Sequence, residues 1–264
     1  MPKETFGGDD DSGGAAPQVK RKIDLSRYSK GQDANIRDAF WEIIGTYAAG
    51  QGPGEALKEL EHERFALVRA AIGAISRPSP LHARLTPQHI ARYSLMMLLD
   101  AGWQDCLVEL LEECWAREGQ KDALLSAFRK LEQDGKYSGK AAESMRAMLR
   151  QHDESTAALR YVAGLRSAGF VEALKKELMI FARGDVGENQ LNAIAALSLL
   201  PEDEDVVKAM SLLLSHWDEE ARMAAAQALL RGKGNEAAAA AAKKRLENEV
   251  DPDIRALLQK IAKR

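Results

Sequence analysis

The sequence predicts an all-α chain, an α-solenoid of about a dozen helices in antiparallel pairs. Three observations predict it. Apolar residues recur at helical spacing almost everywhere from Asp33 onward. Gly, Asp or Pro punctuates that pattern at short intervals, at Gly102, Gly119, Gly135, Gly139, Asp153, Gly169, Gly184, Gly187, Pro201, Asp218, Gly232, Gly234, Asp251 and Pro252. No run of alternating β-branched residues marks a strand.

The elements follow in order. Residues 1–31 form a disordered acidic tail, with Asp9, Asp10 and Asp11, followed by a basic segment. Asp33 is placed to cap the first helix, whose Ile36, Phe40, Ile43, Ile44 and Tyr47 share a face. Gly50, Gly52, Pro53 and Gly54 stop it. A second helix is predicted over about 55–76, carrying Leu57, Leu60, Phe65, Leu67, Val68, Ala71, Ile72 and Ile75. Pro78, Pro80 and Pro87 make 77–87 a break, and Thr86 before Pro87 reads as an N-cap with proline in the first turn. Further helices are predicted at about 87–101, 103–118, 120–134, 138–151, 154–166, 168–183, 187–199, 203–215, 218–230, 234–249 and 251–263. The chain divides into 1–31, an N-terminal helical region at 32–151 and a repeat region at 152–264.

Composition excludes several classes. The 264 residues are 45% hydrophobic and 29% charged, enough apolar material for a core without staples. The net charge of −3 argues against a generic nucleic-acid binder. No apolar run reaches the roughly 18 residues of a membrane span. The two cysteines, Cys106 and Cys114, lie eight residues apart on one helix, about 12 Å along its axis. That is beyond disulfide reach, so they read as buried thiols in a reducing, cytoplasmic setting. The N-terminus has no apolar core of a signal peptide.

Three segments, 187–200, 218–232 and 251–264, each open with acid or amide residues and run on through alanines and leucines. Asn192, Arg222 and Arg255 fall at equivalent places in this alignment. With the intervening helices, the unit is a helix pair of about 31–33 residues. Asp218, Glu219, Ala221, Arg222, Ala224, Ala225, Ala228 and Leu229, echoed by Asp251, Pro252, Ile254, Arg255 and Leu258, resemble HEAT-like repeats of the short, alanine-rich kind named after phycobiliprotein lyases. The resemblance covers 187–264 and extends in weaker form back to about 154. It implies a right-handed HEAT-like or armadillo-like superhelix and little about activity. Arg222 and Arg255 then read as inter-repeat structural residues, donating to turn carbonyls or acids. Lys260, Lys263 and Arg264 suit the polar face of a terminal capping helix.

No catalytic, cofactor or metal residues are predicted. The histidines, His62, His82, His89, His152 and His216, form no HExxH or HxH motif. The single His-Glu step at His62–Glu63 falls short of the several that the HEAT-like deoxyhypusine hydroxylases use for iron. GQGPG at 50–54 lacks the strand that a phosphate loop requires, and reads as a turn. Trp41, Trp103, Trp115 and Trp217 are scattered, with Asp105 and Asp218 beside two of them. An acidic chain is a poor match to the HEAT-like base-excision enzymes, which work in a basic groove.

The function expected is a non-enzymatic scaffold or adaptor that binds a protein through its helical surface. The alternatives are a HEAT-like enzyme or enzyme subunit, and a regulator docked on a membrane or filament. Lys20, Arg21, Lys22, Ile23, Leu25, Arg27 and Tyr28, in the basic segment 19–31, are the candidate partner-binding residues. That segment could also touch an anionic surface weakly.

Overall fold

The computed structural model describes residues 33–77 and 84–264. The basic segment with Lys20, Arg21, Lys22, Ile23, Leu25, Arg27 and Tyr28, the acidic tail, and His82 lie outside the described residues. Among those described, the chain is all-helical, with thirteen α-helices and no strand. They are α1 Asp33–Ala48, α2 Arg64–Ser76, α3 Pro87–Ala101, α4 Gln104–Trp115, α5 Glu118–Glu132, α6 Ser138–Arg150 and α7 Ser155–Leu165. The series continues with α8 Ala168–Gly184, α9 Glu188–Leu197, α10 Glu204–Leu213, α11 Glu219–Arg231, α12 Glu236–Leu246 and α13 Pro252–Ala262.

Short polar side chains start α3, α8 and α10 to α13 by accepting first-turn amides that have no partner within the helix. Thr86 Oγ1 accepts from the His89 amide at 3.3 Å, with Pro87 in the first turn. Asp203 caps α10, Asp218 α11, Asn235 α12 and Asp251 α13 in the same way.

The segment expected as one helix over 55–76 divides in two. Gly54–Glu63 is a 3-10 helix, and the α-helix begins only at Arg64. Leu57 and Leu60, the two residues it buries, are three apart. At three residues per turn they fall on one line. Phe65, expected on the apolar face, stays partly exposed under the Arg64 guanidinium, 4.9 Å from its ring centre.

Packing follows a ladder. Odd-numbered helices touch in sequence from α1 to α13, and even-numbered helices from α2 to α12. Most successive helices also pack together, α9 with α10 and α11 with α12 excepted, and every substantial contact joins helices at most three apart. The ladder has no break at 151. Each short helix hides its apolar face between neighbours on both sides, so the core runs continuously from Ile36 to Ile261.

Polar cross-links tie neighbouring helices along the whole ladder. In the C-terminal half they include Arg150–Glu177, Arg160–Glu188, Lys175–Asp203 and Arg222–Glu249, 27–28 residues apart, and Thr156–Asn189, Ser198–Arg231 and Glu202–Lys233, 31–33 apart. In the N-terminal half Arg64–Asp105, Arg92–Asp134, Lys140–Asp100 and Trp103–Glu61 span 40–42 residues, while Tyr137–Asp100 spans 37 and Tyr47–Asp100 spans 53. The densest N-terminal link is Asp100, which accepts from Tyr47 at 3.0 Å, Tyr137 at 2.7 Å and Lys140 at 2.8 Å. Burial opposes ionisation of its carboxyl, yet these donors hold its pKa below the usual carboxylate range.

Tyr161, fully buried on α7, packs edge-on to Trp115 at 5.1 Å and against Phe128 at 6.0 Å, and its hydroxyl has no partner among the described residues. Burial pushes its phenol pKa well up. Removing a buried, unbonded hydroxyl relieves its desolvation cost. Tyr161→Phe is therefore expected to stabilise the protein by about 1 kcal/mol in urea denaturation; a loss of stability would show that the hydroxyl is bonded.

Candidate interaction edge

Three turns lie on one edge of the ladder: α8 to α9, α10 to α11, and α12 to α13. The connections are short, so successive helices run antiparallel and alternate turns fall on the same side. Each turn holds a large apolar residue immediately before the N-cap of the next helix. These are Val186 before Gly187, Trp217 before Asp218, and Val250 before Asp251. Ile180 and Leu212 occupy matching places, 32 residues apart, in the last turns of α8 and α10. All five side chains are between 55% and 87% exposed. They are five of the six large apolar side chains exposed among the described residues.

An apolar residue before an N-cap ordinarily packs on the fourth helical residue. In two of these turns the fourth residue is arginine, occupied elsewhere. Arg222 donates to the His216 and Trp217 carbonyls at 3.1 and 2.9 Å. Arg255 donates to the Leu246 and Glu249 carbonyls at 3.0 and 2.6 Å. The arginines hold the turn backbone from inside while Trp217 and Val250 point outward. His216 packs beside Trp217, ring centres 5.3 Å apart, and its Nδ1 accepts from the Asp218 amide at 3.1 Å. Adjacent packed helices are about 8–10 Å apart, so the three turns form a ridge about 20 Å long.

Glu249 locks the last turn. Its fully buried carboxylate accepts from Arg222 Nε at 2.9 Å, Arg245 Nε at 3.0 Å and the Val250 and Asp251 amides. Burial opposes its charge, but these donors bring the pKa down to about 2.

In α9 the residue matching Arg222 is Gln190, not Asn192 as the alignment of segments placed it. Gln190 is fully buried and donates to the Ala182 carbonyl at 3.1 Å, at the end of the preceding helix. Asn192 instead bonds Glu188 on the helix surface. The steps are thus 32 and 33 residues. The missed signal is the burial pattern, in which Gln190, Ala193, Ile194 and Leu197 match Arg222, Ala225, Ala226 and Leu229.

The other singled-out residues do not gather into one site. His62 is exposed on the 3-10 helix, and His89 belongs to the Thr86 cap. Trp103 is buried and donates to Glu61, while Asp105 is held by Arg64 at 3.0 Å. Cys106 and Cys114 are buried free thiols, and burial pushes each pKa up to about 12. Lys260, Lys263 and Arg264 are exposed on or just after α13, and Arg264 also reaches back to the Leu230 and Gly232 carbonyls at 2.7 Å. No cluster of three or more His, Cys, Asp or Glu able to hold a metal occurs among the described residues. No helix there is long and apolar enough to cross a membrane.

No protein-family model matches this chain, and no curated protein matches it. Among solved structures, an engineered protein determined by the Northeast Structural Genomics Consortium is similar at 17% identity. The match covers 90% of this chain and 72% of the other, with a TM-score of 0.44.

Proposed function

We propose that the chain is a non-enzymatic scaffold, an α-solenoid of HEAT-like type, that binds a protein partner through the apolar edge. One observation carries this reading: exposed Ile180, Val186, Leu212, Trp217 and Val250 recur at steps of 31–33 residues along one side of the ladder. Water contact with clustered apolar surface is unfavourable, and a partner that covers it recovers that free energy. Trp217 is the natural anchor, because a large aromatic side chain on a fixed turn contributes much area at little entropic cost. The two buried thiols suit a reducing, cytoplasmic setting.

The test is affinity enrichment with the full chain and with a Leu212→Ser, Trp217→Ser, Val250→Ser variant. All three side chains are exposed, so the variant is expected to melt like the wild type. A partner retained by the wild type should bind the variant at least about 30-fold more weakly. An unchanged set of retained proteins at unchanged affinity contradicts the reading.

A further inference from the structure

A second surface lies at the opposite end of the ladder. Helices α1 and α2 form the walls of a groove of about 470 Å³, lined by Arg37, Trp41, Arg69, Gly73 and Arg77 over a floor of Ala70 and Ala74. The spacing accounts for it. Arg37 and Trp41 are four apart on α1. Arg69 and Gly73 are four apart on α2, so each pair shares a face, and Arg77 immediately follows the last turn of α2. Gly73 leaves the space between Arg69 and Arg77 open, since a Cβ there would meet nothing within 4 Å.

The three arginines have no side-chain hydrogen bond or ion pair to any described residue. By contrast, Arg64, Arg92, Arg129 and Arg146 are tied to acids or carbonyls. Three guanidiniums without a partner among the described residues thus line one cavity in a chain whose net charge is −3.

We propose that this groove binds an acidic peptide segment of a partner protein. Guanidinium groups grip carboxylates through paired, charge-assisted hydrogen bonds. Arg69 and Arg77 are about 12 Å apart along the helix axis. An extended chain advancing about 3.3 Å per residue brings acids about four positions apart onto both, with Arg37 above the middle and Trp41 offering an apolar wall. A peptide fits better than a nucleic acid, because the groove is short and its three guanidiniums match a few carboxylates rather than a run of phosphates. This inference is independent of the apolar edge, which lies among α8–α13.

The test uses fluorescence anisotropy with the full chain and a labelled Gly/Ser peptide carrying two glutamates four residues apart. The comparators are the same peptide with glutamines, a dT oligonucleotide, and the Arg69→Gln/Arg77→Gln variant. Both arginines are exposed, and circular dichroism checks that the variant folds. The glutamate peptide is expected to bind the wild type at least tenfold more tightly than the glutamine peptide, to weaken as salt rises, and to lose at least tenfold on the variant. Equal binding of the two peptides, full retention by the variant, or tighter binding of the oligonucleotide overturns the proposal.

Discussion

Replacing Glu249 by alanine is expected to cost about 3–5 kcal/mol, because it leaves the buried Arg222 guanidinium without its counter-charge. The same change removes the acceptor for Arg245 and for the Val250 and Asp251 amides, so the turn into α13 loses its lock. Urea denaturation followed by circular dichroism measures the loss. The pH dependence has a definite sign. The folded pKa of Glu249, about 2, lies below the ordinary glutamate value of 4.5. Its contribution is therefore fully present above about pH 4.5 and is lost as pH falls toward 2. The alanine variant should lack this part of the acid sensitivity. A variant as stable as the wild type at pH 7, or equally acid-sensitive, would refute the role given to Glu249.

Phe128→Ala is expected to cost about 3–5 kcal/mol. Phe128 is 1% exposed on α5, 6.0 Å from the Tyr161 ring on α7 and 6.4 Å from Phe170 on α8. It sits near the middle of the ladder, and its ring contacts join α5 to α7 and α8. Truncation there opens a cavity between them. If the two halves were separate domains joined by a linker, thermal unfolding would keep one unshifted transition. In a continuous stack, helices on both sides of α5–α8 lose protection.

Much of the fold is legible in the sequence. The Gly, Asp and Pro punctuation places most helix ends within two residues of those observed, because caps are local chemistry: Thr86–Pro87, Asp218 and Asp251 act where they stand. Two features depend on tertiary context. Periodicity alone cannot separate a 3-10 from an α-helix when the buried pair, Leu57 and Leu60, is three apart. Matching Asn192 to Arg222 relied on composition, whereas the match is set by which first-turn side chain reaches the preceding helix end, and that is Gln190. The candidate edge was not legible, since Trp217 and Val250 look like ordinary staple residues until Arg222 and Arg255 are seen bonded to the turns. Glu249, a loop acid between two alanine-rich segments, carries no motif of its own. The basic stretch at 19–31 lies outside the described residues.

The central claim is that stability passes along the chain from neighbour to neighbour. Native-state amide hydrogen exchange on the Glu249→Ala protein tests it most directly. The stack predicts faster exchange in α10 to α13, fading toward α8, with α1 to α5 unchanged. A uniform rise in exchange across all thirteen helices would contradict it, since only a single cooperative globule spreads a local loss so evenly.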